Sequence, residues 1–194
     1  METTRLVSFS DAVLAIILTI MVLELKVPEG VTLHALAPVL PVFLSYVLSF
    51  VYVGIYLGNH HYLLQFCPRV TGSVLWANLH LLFWLSLFPF VTGWMGENHF
   101  AALPTAVYGG VLVAAALAYL LLQHAIIVAQ RPATTLKTAV GEDWKGKVSL
   151  VLDLVGIGAT VYRAWIGQLL FATSAVLWVV PDRRLERSLA LNRP

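Results

Sequence analysis

Charged residues are scarce in this chain of 194 residues: they make up 11% of it, whereas about 25% is usual in a soluble domain. Hydrophobic residues make up 59%, and the mean hydropathy is +0.83. There are too few charges to cover a globular surface, and one small core cannot bury so many apolar side chains. The composition therefore excludes a soluble enzyme, a disordered regulator and a basic nucleic-acid-binding protein, and it indicates a membrane protein.

Cysteine is represented by Cys67 alone, which excludes an intrachain disulfide framework and a zinc site built from several cysteines. The net charge of +2 does not indicate a polyanionic partner. The chain also lacks internal repeats and low-complexity tracts, and its longest loop, at about 129–147, is too short to fold alone. We therefore expect the protein to act inside the membrane or at its two faces.

Long apolar segments are abundant, and about 20 mostly apolar residues suffice to cross the hydrocarbon core. The final apolar run, 148–180, is too long for one straight span, so we divide it at a tight turn at 161–165. Asp11 interrupts the first segment and no small-residue cleavage site follows it, which favours a retained helix over a signal peptide. We predict an all-α membrane protein with a single transmembrane domain, 1–194, and six transmembrane helices at about 7–25, 33–57, 72–94, 103–128, 148–162 and 165–180.

The basic residues are distributed unevenly between the loops that these spans define. One side of the membrane receives only Lys26 and Arg163, and the other side receives the remaining ten. Because Lys and Arg are concentrated in cytoplasmic loops, we predict that both termini are cytoplasmic, in a multi-pass protein of the cell membrane. The ten residues are Arg5, Arg69, Arg131, Lys137, Lys145, Lys147, Arg183, Arg184, Arg187 and Arg193.

Polar residues inside the spans are costly in lipid and are therefore candidates for a function. Asp11, His60, His61, Asn78 and His80 all fall in the predicted cytoplasmic half. They fit an interhelical hydrogen-bond network, a proton relay through histidine and carboxylate, or a metal or haem site. Adjacent side chains on a helix point about 100° apart, so the two neighbouring histidines do not easily share one ion.

Two further carboxylates lie outside this group. Asp153 in the fifth span fits three placements: a pair with Arg163, a wet crevice, or a position just inside the cytoplasmic interface. Glu24, near the outer end of the first span, fits a structural pair with Lys26 or a role in concentrating cations at an outer mouth.

The first span has one nearly uniform apolar stripe. At 100° per residue, Ile16, Ile20 and Leu23 fall on one side with Thr19 beside them. Asp11 points about 140° away from Ile16. Such a stripe is typical of lipid contact or helix packing, and periodicity alone does not reveal a pore.

The polar motifs resemble those of the transmembrane protein 175 family, the potassium channels of bacteria, lysosomes and endosomes. The resemblance begins with Arg5, three variable residues and Phe9-Ser10-Asp11, followed by Ala15-Ile16 and Thr19. It continues in Asn59-His60-His61, Trp76-Ala77-Asn78-Leu79 and Leu87-Phe88-Pro89-Phe90. Motif-level similarity covers the first half of the chain, and the later spans resemble the family only in hydropathy and length.

The resemblance implies a six-helix subunit that assembles as a homotetramer, with the first helix of each copy lining a central pore. It implies a hydrophobic constriction at Ile16, further apolar rings at Ile20 and Leu23, and a contribution of Thr19 to potassium preference. The family commonly has Leu where this chain has Ile20 and Met21. The residues that hold the pore helices in place would be Arg5, Phe9, Ser10, Asp11, His60, His61, Trp76 and Asn78.

The resulting prediction is a potassium-preferring cation channel that conducts passively, without enzymatic activity, cofactor or resident metal. The chain has no Thr-Val-Gly-Tyr-Gly loop, so backbone carbonyls cannot replace the hydration shell of the ion. Apolar rings gate instead by dewetting, and their selectivity should be weaker. The expected partners are other copies of the chain, membrane lipid and K⁺, but not nucleic acid.

Three alternatives stay open. A proton-coupled transporter or proton-leak pathway would use Asp11, His60 and His61, although the absence of a detectable repeat weakly disfavours a transporter. An intramembrane enzyme would need a nucleophile or metal set, and Cys67 has no evident catalytic partner. A structural membrane subunit without a pore is compatible with Gly54 and Gly58, which fit a seam of small residues for helix packing.

Overall fold

The computed structural model describes residues 2–130, 136 and 144–179, and within these ranges the chain forms helices and no strand. The predicted all-α fold is therefore confirmed. The third and fourth α-helices form one bent span, so the described residues make six helical spans. The α-helices are α1 (Thr3–Leu23), α2 (Leu40–Gln65), α3 (Gly72–Ser86), α4 (Phe88–Glu97), α5 (Ala102–Ala129), α6 (Trp144–Thr160) and α7 (Ala164–Val179).

Four of the helical stretches are long and apolar enough to cross a membrane: Thr3–Leu23, Leu33–Gln65, Gly72–Glu97 and Ala102–Ala129. The other two helices, α6 and α7, have 17 and 16 residues. At 1.5 Å per residue the described parts of these two helices extend about 24–26 Å, and the residues before Trp144 and after Val179 lie outside the described ranges. The two helices are joined by a tight turn and pack against each other as a hairpin.

The second span differs from its predicted range of 33–57. Leu33–Val39 forms a 3-10 helix that contains Pro38, and α2 begins only at Leu40, with Pro41 in its first turn. Proline lacks an N–H group and is accepted in the first turn, so these two prolines set the start of the helix. The helix then continues to Gln65, which places Asn59, His60 and His61 inside it rather than at its end.

The third span bends at Leu87, between α3 and α4. Pro89, the second residue of α4, cannot donate a backbone hydrogen bond, and the Leu87 N–H contacts the carbonyl of Trp84 at 3.3 Å. A proline at such a position is a usual cause of a sharp kink. The bend allows α4 to pack against both α2 and α1.

One side of α1 anchors it to the rest of the subunit. The buried residues Leu6, Ser10, Leu14, Ile17 and Met21 repeat every three or four positions and form a single face. This face packs against α2, α3 and α4. The opposite face of α1 has no covering helix among the described residues.

The basic residues of the predicted topology divide between described and undescribed parts of the chain. Arg5, Arg69, Lys145 and Lys147 lie within the described ranges. The remaining six predicted cytoplasmic positions lie outside the described residues: Arg131, Lys137, Arg183, Arg184, Arg187 and Arg193.

The α6–α7 hairpin depends on a close approach between backbones at Gly167. A Cβ atom at this position would lie 2.8 Å from the carbonyl oxygen of Gly156 and 2.7 Å from the Thr160 Cγ2 atom. A backbone oxygen cannot move aside as the end of a long side chain can, so only glycine fits here.

We predict that Gly167→Ala lowers the free energy of unfolding by about 1–3 kcal/mol, because overpacking forces the two helices apart. Gly158→Ala is the matched control, since a Cβ atom there meets nothing within 4 Å. Thermal unfolding of the purified protein in detergent measures both changes. Equal effects of the two variants would contradict the close approach.

Candidate functional site

The uncovered face of α1 carries the stripe that the sequence singles out. Ile16 is 56% exposed, Ile20 41% and Leu23 81%, and Thr19 between them is also exposed. We call these four residues the open face of α1. It points away from the buried face because the centres of the two sets of positions are about 130° apart at 100° per residue.

Thr19 is the polar group at the centre of the open face. Its hydroxyl donates a hydrogen bond to the carbonyl oxygen of Ile16 at 2.8 Å. Because the proton is used inside the helix, the oxygen presents its lone pairs outward. The open face is therefore apolar apart from one hydrogen-bond acceptor, the Thr19 oxygen.

A chain of three buried polar side chains holds α1 in this orientation. The Asn78 Nδ2 donates to the Ser10 Oγ at 3.0 Å, and the Asn78 Oδ1 accepts from the His60 Nε2 at 2.6 Å. The Ser10 hydroxyl in turn donates to the Leu6 carbonyl at 2.9 Å. All three side chains are fully buried. The Ser10–Asn78–His60 chain therefore ties α1, α3 and α2 together at one level of the subunit.

Asp11 lies next to this chain without joining it by a direct hydrogen bond. Its Oδ1 is buried and has no hydrogen-bond partner among the described residues, and the same is true of the His60 Nδ1. Asp11 nevertheless interacts electrostatically with His60. The Asp11 Oδ1 and the His60 Nδ1 are therefore two acceptors without a hydrogen bond, and both lie close to the Ser10–Asn78–His60 chain that connects α1 and α2.

The structure separates the eight predicted network residues into two groups. Ser10, His60 and Asn78 form the chain, with Asp11 beside it. The other four, Arg5, Phe9, His61 and Trp76, have exposed side chains. Phe9 is 49% exposed and Trp76 is 73% exposed, while His61 contacts the ring of its neighbour Tyr62.

The C-terminal end of α1 is tied to α4 by an ion pair. The Lys26 Nζ donates to the Glu97 Oε1 at 2.6 Å, with both side chains largely in solvent. The pKa of Lys26 is raised, first by this hydrogen bond and the charge of Glu97, and to a lesser extent by Glu24. The direct partner of Lys26 is therefore Glu97, not the Glu24 that the sequence offered as one possibility.

A hydroxyl cluster that sequence reasoning did not single out joins α2, α4 and α5. The Ser49 Oγ lies 2.6 Å from the Thr92 Oγ1 and 3.0 Å from the Tyr108 hydroxyl, and all three side chains are buried. In the sequence, such a cluster is indicated only by hydroxyl residues that lie inside apolar spans. Their pairing depends on the bend of the third span, which the sequence does not fix.

Cys67 follows the end of α2 and has the properties of a buried structural thiol. Its Sγ donates to the carbonyl of Arg69 at 3.4 Å. Burial raises the pKa of the thiol, which lowers the fraction of reactive thiolate.

Comparison with known proteins decides the family. The family described as endosomal/lysosomal potassium channel TMEM175 matches residues 5–89. A curated potassium channel of Chryseobacterium sp. is 48% identical over 192 residues, which cover 99% of this chain and 100% of that protein. The chain belongs to the TMEM175 family. The resemblance seen in the sequence motifs is thereby confirmed.

Further TMEM175 relatives match in sequence and in fold. A curated potassium channel of Streptomyces collinus is 36% identical over 129 residues, which cover 61% of each chain. The crystal structure of a lysosomal potassium-selective channel TMEM175 homolog from Chamaesiphon minutus superposes with a TM-score of 0.77 at 25% identity. That superposition covers 94% of this chain and 98% of the other. This chain is therefore a multi-pass membrane protein with the TMEM175 fold throughout its described residues.

We predict that His60→Leu lowers the free energy of unfolding by about 1–2 kcal/mol, because it leaves the buried Asn78 amide oxygen unpaired. His61→Leu is the matched control, since the His61 side chain is next to His60 in sequence but is exposed. The measurement is thermal unfolding of the purified protein, with size-exclusion chromatography to follow assembly. If the two variants are equally destabilised, the Ser10–Asn78–His60 chain does not determine the position of α1.

Proposed function

We propose that this TMEM175 family member is a potassium-preferring cation channel that conducts passively through a central pore lined by α1 of each subunit. The observation that supports this proposal is the asymmetry of α1. One face is fixed by buried packing and hydrogen bonds, while the open face is uncovered, apolar and carries one hydroxyl group. The names of the relatives as potassium channels support the choice of ion.

A single open face cannot enclose a pore, so the proposal requires several copies of the chain in a closed ring. A homotetramer places four open faces around one axis. Arg5 and Phe9 lie on the same side of α1 as Ile16, and Trp76 is exposed on α3. In the ring Arg5 and Phe9 would therefore face the pore beyond the Ile16 ring, while Trp76 would be free to contact a neighbouring subunit and take part in assembly.

The gate in this proposal consists of stacked apolar rings. Ile16, Ile20 and Leu23 follow one another at intervals of four and three residues, so they line a column about 10 Å long at 1.5 Å per residue. When such a column is narrow it expels water and blocks ions, and when it widens it fills with water and conducts.

Selectivity in this proposal comes from the Thr19 hydroxyls between the apolar rings. Their outward lone pairs supply a ring of oxygen ligands to a passing cation. One ring of hydroxyls replaces less of a hydration shell than a stack of carbonyls does, so the preference for K⁺ over Na⁺ is expected to be modest.

The proposal places both termini in the cytoplasm and the protein in the cell membrane, on the basis of the ten-to-two distribution of basic residues. The Lys26–Glu97 pair then lies at the outer mouth, together with Glu24 at the end of α1. Net negative charge from these three groups would raise the local concentration of cations there.

A proton pathway is the second candidate function. It is supported by two atoms without hydrogen-bond partners near the Ser10–Asn78–His60 chain. The Asp11 Oδ1 and the His60 Nδ1 are both buried and both able to accept a proton. Purified protein in liposomes separates the two candidates when potassium, sodium and proton fluxes are measured down imposed gradients. Saturable uptake of a coupled substrate without passive cation current would contradict the channel.

We predict that Ile16→Asn raises passive potassium flux in liposomes several-fold, because a polar ring stays wet when the gate is narrow. Leu121→Asn is the control: Leu121 is 54% exposed, close to the 56% of Ile16, but lies on α5. The control should leave the flux unchanged. An unchanged flux in both variants would exclude Ile16 from the gate.

We also predict that Thr19→Val reduces the ratio of potassium to sodium flux, whereas Thr19→Ser preserves it. Valine keeps the branched shape and removes the oxygen, while serine keeps an oxygen that can bond the same carbonyl. The readout is the reversal potential under bi-ionic conditions in reconstituted bilayers. Equal ratios in the valine and serine variants would assign the preference to another part of the pore.

A further inference from the structure

A cavity of about 50 Å³ lies inside the subunit, among α2, α5, α6 and α7. A water molecule needs roughly 10–15 Å³ of such space, so the cavity can hold a few waters or one small ion with a water. Its lining along α6 runs from Gly146 to Asp153, a depth of about 10 Å at 1.5 Å per residue. No residue of α1 lines it, so it is separate from the proposed pore.

Two side chains in this cavity are deeply buried and incompletely bonded. Asp153 is 4% exposed, and its Oδ1 has no hydrogen-bond partner among the residues that the structure describes. Ser174 is 1% exposed, and its hydroxyl lies near enough to interact with Asp153 and Tyr52, although it makes no hydrogen bond of good geometry within the same ranges. Of the three placements that the sequence allowed for Asp153, the structure shows a crevice and no pair with Arg163, which is exposed in the turn after α6, while the placement just inside the cytoplasmic interface stays a prediction.

Three further hydroxyl groups of the lining have their protons bound to backbone carbonyls. The Tyr52 hydroxyl donates to the carbonyl of Phe171 at 2.6 Å, and the Tyr119 hydroxyl donates to the carbonyl of Asn59 at 3.3 Å. The Ser149 hydroxyl donates to its own helix, to the carbonyl of Gly146 at 3.1 Å. Because these protons are used on backbone carbonyls, the three oxygens can present only lone pairs to the cavity.

The charge of the cavity is also one-sided. Its lining, as far as the chain is described, contains one carboxylate and no Lys, Arg or His side chain. A buried carboxylate without a counter-charge is strongly unfavourable in the membrane interior. A ligand that brings one positive charge would supply the counter-charge that the lining lacks.

We infer that this cavity binds a small monovalent cation, with the Asp153 carboxylate as counter-charge and the hydroxyl oxygens of Tyr52, Tyr119 and Ser149 among its ligands. Oxygen donors of this kind suit hard cations such as K⁺ and Na⁺, and they also accept hydrogen bonds from ammonium. A single carboxylate matches a single positive charge. Calcium usually takes six to eight oxygens, so it fits this small cavity poorly.

The site is independent of conduction, because its ligands come from helices outside the open face. A cation held there joins α2, α5 and the α6–α7 hairpin around one charge. Any ligand that binds the folded state alone stabilises it in proportion to the logarithm of its concentration. The expected role is therefore to hold the hairpin against the rest of the subunit.

Thermal unfolding of the purified full-length protein tests this inference. The midpoint for the wild type should be about 5 °C or more higher in KCl than in N-methyl-D-glucamine chloride of equal ionic strength, since the larger cation cannot enter the cavity. In Asp153→Asn this difference should be lost. In N-methyl-D-glucamine chloride without potassium, Asp153→Asn should unfold at or above the wild-type temperature, because the substitution removes an uncompensated buried charge.

Thr105→Val is the control, because Thr105 also has a buried side-chain oxygen without a partner among the described residues but does not line the cavity. This variant should keep the full response to potassium. A full potassium response in Asp153→Asn would overturn the inference.

Direct detection keeps the test decisive if Asp153→Asn does not fold. Crystals of the wild type soaked in Rb⁺ should show an anomalous peak beside the Asp153 carboxylate. Tyr52→Phe keeps the ring but removes an oxygen, so it should raise the potassium concentration needed for half of the thermal shift several-fold. A cavity that holds water alone in Rb⁺-soaked crystals would mean that the carboxyl group is neutral, and the cation site would be rejected.

Discussion

The hydrogen bonds made by the buried amide of Asn78 are the interaction on which the arrangement of α1 depends. An amide in a membrane interior must satisfy both its donor and its acceptor, and Asn78 does so with one group from α1 and one from α2. A rotation of α1 about its own axis would break the bond to Ser10. The amide therefore fixes which face of α1 is buried and, by exclusion, which face is open.

Much of this arrangement could be predicted from the sequence. The helical class follows from long apolar runs, and the turn between α6 and α7 follows from the polar break near Arg163. The rotation of α1 could be predicted because Asp11 and Ser10 fall away from the Ile16 stripe at 100° per residue. The boundaries of α2 could not, because two prolines near its start and a buried histidine near its end outweigh hydropathy.

The candidate site could be predicted less completely than the fold. Motif similarity groups residues that serve one family without saying which of them meet inside one subunit, so Arg5 and Trp76 were grouped with Asn78. The sequence allowed a crevice at Asp153 as one of three placements but did not give its lining, because that lining comes from four helices whose contacts depend on packing. The Ser49–Thr92–Tyr108 cluster was missed for a similar reason, since the bend at Leu87 brings its members together.

The short α6–α7 hairpin has a consequence for the surrounding lipid. Its apolar stretches, 148–160 and 164–179, would extend only about 20–24 Å next to longer spans, and a bilayer meets such a hydrophobic mismatch by thinning locally. Lys145 and Lys147 in the first turn of α6 mark one edge of this thin zone. Headgroups and water consequently come closer to the middle of the subunit there than elsewhere on its perimeter. The lipid around the subunit is therefore expected to vary in thickness, and membranes of different thickness should change the hydrophobic mismatch at this hairpin by different amounts.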